Sequence, residues 1–181
     1  MTRICAAAAQ QNPVSLDAHR LSRILKMLNG APFLAIALID NDPDFPGFAV
    51  SAAADGFAGR ADVWVSRAAF ASFITALDTL DQSLRGEARL QAGWVSDGAN
   101  AQDDEFDADV TIRPKGHAGQ LQVSVVLCEA RGESDRNIAR LSFAVPEPNA
   151  LTRFRLSLRD IVSTRSTGTA VLTPGLLVGG V

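Results

Sequence analysis

The chain is poor in the residue types that most often carry out chemistry. Its 181 residues include two histidines, two cysteines and no tyrosine. Two cysteines are too few for a disulfide framework. Cys128 lies in an apolar alternating run and reads as a small core residue, while Cys5 stands near the terminus. His19 and His117 have no metal-ligand spacing to a cysteine or to each other. A Cys128–His117 dyad would have to be assembled by the fold, because no local signature surrounds either residue. Nine Phe and two Trp leave few platforms on which bases could stack. A net charge of −3, from 17 basic and 20 acidic residues, is too weak to hold a polyanion by bulk electrostatics. No run approaches the ~18 apolar residues of a membrane span, and Ile4–Ala9 is shorter than a secretory core. Neither a GxGxxG nor a P-loop pattern occurs, and Gly56 and Gly59 read as hairpin glycines. These absences assign no catalytic residue, cofactor or metal, and they point away from nucleic acid and membrane toward a cytoplasmic protein.

What is present is globular in kind: 47% hydrophobic and 20% charged residues. Residues 1–14 read as a flexible N-terminus, 15–165 as a single α+β domain, and 166–181 as an apolar C-terminal tail. The first element is a helix over residues 15–29. Ser15 serves as N-cap, Leu21, Ile24, Leu25 and Leu28 form one stripe, and Asn29-Gly30 with Pro32 ends it. Phe33 to Ile39 has no polar face and reads as a strand covered on both sides, with Phe33, Ile36 and Leu38 in the core. Two alternating runs then flank Asp55-Gly56, a two-residue hairpin signal. Phe48, Val50, Ala52 and Ala54 share a face before the turn, as do Phe57, Ala61, Val63 and Val65 after it. Ser66 caps a helix with Phe70, Phe73, Ile74, Leu77 and Leu80 on one side, and a strand from Ala88 to Trp94 follows. Three more strands read as a meander: Phe106–Arg113, Gln120–Glu129 and Asn137–Val145. The last helix starts near Asn149, with Leu151, Phe154, Leu158 and Ile161 inward and Arg153, Arg155 and Arg159 outward. Thr167–Leu172 offers one further strand.

The fold class that follows is α+β: a mainly antiparallel sheet of about seven strands, two amphipathic helices packed on it, and an added N-terminal helix. The stripes Phe70, Phe73, Leu77, Leu80 and Leu151, Phe154, Leu158, Ile161 match at constant spacing, and so do the strand ends Val63-x-Val65 and Phe143-x-Val145. Each half thus reads as three strands and a helix. Either a βββα unit is duplicated, or any strand-to-helix junction produces the match.

Two groups of residues are candidates for binding a partner. Asp103, Asp104, Glu105, Asp107 and Asp109 follow Asp97 with no basic residue among them. They lack the spacing of a calcium loop and the aromatics of a sugar site. They read either as a solvated loop or as a patch that attracts a basic partner. Arg60, Asp62 and Trp64 alternate onto the face opposite the large apolar residues of their strand. A Trp beside charges is either an interface anchor or lies beneath a covering element.

From about Gly47 to Val162 the order of elements resembles the WapI-like bacterial immunity proteins. The likeness lies in Gly56-Phe57-Ala58-Gly59-Arg60-Ala61-Asp62-Val63-Trp64-Val65, Phe70-x-x-Phe73, Leu77-x-x-Leu80, Leu84-Arg85-Gly86-Glu87-Ala88-Arg89-Leu90, and the closing helix with Leu151, Phe154 and Leu158. The resemblance implies a protein that neutralises a toxin by binding it, with no catalysis of its own. Three functions are therefore in view. The first is a non-enzymatic, immunity-like module that binds a protein partner through a charged surface. The second is a small-molecule binder or enzyme with a pocket between sheet and helices. The third is a structural homodimer formed through the apolar tail or a sheet edge.

Overall fold

Where apolar residues recur at every second position the chain is extended, and where they recur at every third or fourth it is helical. The computed structural model describes residues 30–94, 105–116, 119–130, 136–164 and 168–174. The helix expected over 15–29, Cys5, both histidines, Asp97, Asp103, Asp104 and the tail beyond residue 174 lie outside them. The strands are β1 (Phe33–Asp40), β2 (Gly47–Ala54), β3 (Phe57–Trp64), β4 (Ala88–Trp94), β5 (Glu105–Lys115), β6 (Gln120–Ala130), β7 (Arg136–Val145) and β8 (Thr169–Leu172). The helices are α1 (Arg67–Ser83) and α2 (Pro148–Thr164).

Local signals act as the residue chemistry dictates. Asp55 and Gly56 both take positive φ, 53° and 81°, as the tight β2–β3 turn requires. The Ser66 hydroxyl accepts from the Ala69 amide at 3.2 Å and caps α1. Leu84, left-handed at φ 51°, closes the helix by donating its amide to the Leu80 carbonyl at 2.9 Å. The expected stripes of both helices are buried, save Ile74, which is partly buried.

The sheet does not form as expected. The strands divide into two four-stranded antiparallel sheets, β3-β2-β1-β8 and β4-β5-β6-β7, in place of one sheet of about seven. Each sheet takes three consecutive strands from one half of the chain and its fourth from the other. After α1 the chain leaves the first sheet, and β4 joins β5. After α2 it leaves the second, and β8 joins β1 with Leu34 opposite Leu172. Alternation reports which side chains share a face but not which strand lies alongside, so this exchange leaves no mark in the pattern.

The inner faces of the two sheets share one core with the helices. Leu34, Ile36, Phe48, Val50 and Val63 meet Leu90, Val110, Ile112, Val123 and Phe143 there. β3 touches all four strands of the second sheet, so it runs across them and not along them. Gly59 sits at this crossing. A Cβ there would stand 3.0 Å from the Ala139 Cβ and 3.1 Å from the Leu127 Cδ1.

One expectation about the helices is corrected. Arg153 points outward and the half-exposed Arg159 reaches to Asp78 of α1 at 2.6 Å, whereas Arg155 turns into the α1–α2 seam, where its side chain is only 15% exposed. It donates to Asp78 at 2.5 Å and to Asp81 at 3.1 Å, and the Thr152 hydroxyl adds a 2.8 Å bond to Asp81. Asp78 and Asp81 lie one turn apart on α1, so one guanidinium bridges both carboxylates.

Gly59→Val should destabilise the protein by about 1–3 kcal/mol, read from the urea midpoint, because the added carbons overpack the crossing. Arg155→Leu should cost more than Arg153→Leu in the same measurement. The first leaves Asp81 without its cation and Asp78 with Arg159 alone, whereas the exposed Arg153–Glu147 pair is worth at most about 1 kcal/mol.

Candidate functional site

Those of the eight residues singled out by sequence that are described do not converge, and Asp103 and Asp104 lie outside the described residues. Arg60, Asp62 and Trp64 stand on the outer face of the first sheet, opposite Ser51, Ala49 and Gly47. Asp107 and Asp109 belong to the outer face of the second sheet, where β5 begins at Glu105. Because the inner faces pack together, the two groups face away from each other.

Each group has its own chemistry. The Arg60 Nε donates to Asp62 at 2.9 Å, so cation and carboxylate are spent largely on one another. Trp64 is 55% exposed, and a Cβ on Gly47 would stand 3.1 Å from its Nε1, so the indole lies over that glycine. On the second sheet, Asp109 accepts from Arg89 at 3.1 and 2.5 Å and from Gln91 at 3.3 Å. The hydrogen bonds and charge of Asp109 raise the Arg89 pKa above its ordinary value. The acidic run therefore does not continue as free charge onto the sheet, since Asp109 is neutralised by its neighbour on β4.

The structure adds a site that the alternation did not announce. An apolar cavity of about 260 Å³ opens at the end of the first sheet where β1 turns into β2. Leu38 and Phe48, cross-strand partners, form its floor. Phe70, Ala71 and Ile74 of α1 and Val162 of α2 form its wall. Phe48 and Phe70 are stacked with ring centres 4.2 Å apart and planes inclined by 3°. Asn41, Pro46 and Arg67 stand at the mouth, and Arg67 is the only charged residue among the described lining.

The loop at that mouth, residues 41–46, is tied down by hydrogen bonds. The Asp42 carboxylate accepts from the amides of Asp44 and Phe45, both at 2.8 Å. Arg67 donates from Nε to the Pro43 carbonyl and from Nη2 to the Asp42 carbonyl at 3.1 Å. The Val65 and Arg67 amides donate to the carbonyls of Pro46 and Asp44. The loop thereby holds Phe45, 57% exposed, at the same end of the sheet as Trp64. Asp42-Pro43-Asp44 carries the signature of a side-chain-stabilised turn, and that was the only local signal for this site. Its use as a cavity rim depends on Arg67, two dozen residues away.

Among the described residues, no cluster of three or more His, Cys, Asp or Glu is placed to hold a metal ion, and no helix is long and apolar enough to cross a membrane. Cys128 is buried, as a small apolar residue is expected to be, although alternation with Leu121, Val123, Val125 and Leu127 puts it on the outer face of the sheet. No protein-family model matches the chain, and no curated protein or solved structure matches it either.

The two amides beside Asp42 lower its carboxyl pKa below the ordinary value. A depressed folded pKa means that this contribution to stability is complete above the unfolded value and is lost as pH falls through the folded one. Below about pH 4, amide exchange at Asp44 and Phe45 should therefore accelerate relative to the strand cores. Asp42→Asn keeps an acceptor and should remove that pH dependence, which nuclear magnetic resonance would detect.

Proposed function

We propose that the chain is a non-enzymatic binding protein. It recognises a protein partner through the Phe45–Trp64 end of its first sheet and seats one apolar side chain of that partner in the adjoining cavity. The observation that carries this reading is an apolar-walled cavity and two half-exposed aromatics, brought to one end of the sheet by a hydrogen-bonded loop. Trp is enriched among the residues that dominate interface energies, and the Arg60–Asp62 pair supplies the polar rim such anchors need. The cavity is smaller than the ~300–1,000 Å³ of small-molecule sites and suits a single aromatic or branched side chain. The charged-surface version of this idea is narrowed, because Asp109 is already spent on Arg89.

A toxin as the partner rests on the resemblance of residues 47–162 to immunity proteins. The second reading, a small apolar molecule in the same cavity, is favoured by the carbon-lined walls.

A duplicated βββα unit belongs to the same proposal. The strand exchange supports it, since β4 and β8 follow their helices alike and each pairs with the first strand of the other half. Ala88 and Leu90 then correspond to Ala170 and Leu172, and all four are buried. Gly59 and Ala139 correspond by the spacing already noted and meet each other, as equivalent residues beside a twofold axis do.

The test begins with a partner captured by the full chain and reconstituted from purified components. Phe45→Ala with Trp64→Ala should weaken binding about 30-fold or more, the scale of a ~2 kcal/mol hot spot. Ala71→Trp, which fills the cavity from its wall, should weaken it too, and Arg113→Ala should not. Equal binding by the Phe45/Trp64 variant would sink the proposal. A small apolar ligand lost on Ala71→Trp and kept on Trp64→Ala would establish the second reading.

A further inference from the structure

The outer face of the first sheet is buried in a way that no described element explains. Phe33, Ala35, Ala49 and Ser51 all point away from the shared core, yet Phe33 and Ala35 are 2% exposed and Ser51 3%. A phenylalanine ring on an open sheet face would keep much of its surface in water. Phe33 and Ala35 form a separate cluster with Ala31, Ala53 and Val171, to which neither α1 nor α2 contributes. Both helices pack on the opposite side, with Leu34, Ile36 and Leu172.

The two outer faces also differ in chemistry. The second sheet presents Arg89, Gln91, Gln122, Ser124 and Ser142, which hydrogen-bond to one another, to Asp109 or to strand carbonyls, together with Arg140 and, at its edge, Val126, Cys128 and Ile138. The centre of the first presents Ala35, Ala37, Ala49, Ser51 and Ala53 around Phe33 and Val171. A floor of small side chains lets a helix backbone approach closely and offers water almost nothing to bond.

We infer that this face is the seat of the chain's own N-terminal segment, residues 15–29, lying as an amphipathic helix with Leu21, Ile24, Leu25 and Leu28 against the alanine floor. The segment joins the sheet where it must. It leads into β1 through Gly30, Ala31 and Pro32. Gly30 has φ 78°, and a Cβ there would meet nothing, the conformation that ends a helix and reverses the chain. Fifteen helical residues span about 22 Å. An eight-residue strand is about 26 Å long and four strands are about 14 Å across, so one such helix crosses the face and covers its centre. The fit also leaves Trp64, at the corner over Gly47, exposed for a partner. Two other occupants are physically conceivable, the apolar tail 175–181 and a second copy of the chain, and the experiment separates them.

The test uses the full-length chain carrying Cys5→Ser and Cys128→Ala. Ser51→Cys, nearly isosteric, places a thiol on the alanine floor, and Ser142→Cys places one on the polar face as a reference. Under native conditions the thiol at position 51 should react with Ellman's reagent at least ~100-fold more slowly than the one at 142. Adding Leu21→Asp with Leu25→Asp should bring it within ~10-fold of the reference, whereas Leu176→Asp with Leu177→Asp should change little. Three results would each overturn the inference: an unprotected thiol at 51, protection lost only in the tail variant, or protection that falls on dilution. Amide exchange on the unaltered chain decides independently of any variant. Protection of residues 21–28 is expected, and exchange at free-peptide rates there would also overturn it.

Discussion

Two sheets share one core only if they come close where their strands cross, and here that approach hangs on the absence of a side chain at Gly59. β3 lies over all four strands of the second sheet, with Ala139 and Leu127 against its backbone at van der Waals limits. Any larger group at position 59 would pry the inner faces apart, and the cost would spread through side chains that are already close-packed. The small residues near the crossing and the larger ones around it follow from that single contact. Phe48, Phe70, Phe73 and Phe154 are fully buried in the core that the sheets share with the helices.

The crossing also decides what the helices do. Each leaves the last strand of one sheet and delivers the chain to the other, so α1 and α2 meet at the side of the stack. There the Asp78, Asp81, Arg155 and Arg159 network joins them. Their apolar stripes seal the core between the sheets, and the end of that seal, between α1 and the β1–β2 loop, is where the cavity opens. The site is a consequence of the packing. Sheet, helix and loop converge at one end, and Asp42 and Arg67 fix the loop there with hydrogen bonds to its backbone.

Much of the local structure was legible. The Asp55-Gly56 turn, the Ser66 cap, both helix stripes and the alternation of β2 and β3, apart from Phe57, which is 73% exposed, were legible because each depends on residues within one turn or one hairpin. Trp64, Arg60 and Asp62 do share an outward face, as alternation required. Arg155 was misplaced because an arginine on a helix surface looks the same in sequence whether it meets water or two carboxylates on a neighbouring helix. The cavity was missed for the same reason. Its floor, wall and mouth come from four separate elements and the 41–46 loop, and Leu38, Phe48, Phe70 and Val162 each read as ordinary core.

By itself the sequence determined the elements, their faces and their ends, because helix and strand periods are set by backbone geometry that acts over a few residues. It also determined that nearly every strand has an apolar side to bury. Only the tertiary structure decided that eight strands would part into two sheets, that β4 and β8 would be exchanged between halves, and which outward face would be polar or covered. Strand partners are chosen by long-range packing among apolar edges of almost equal quality, and the winner is the arrangement in which Gly59 lets both sheets close on one core.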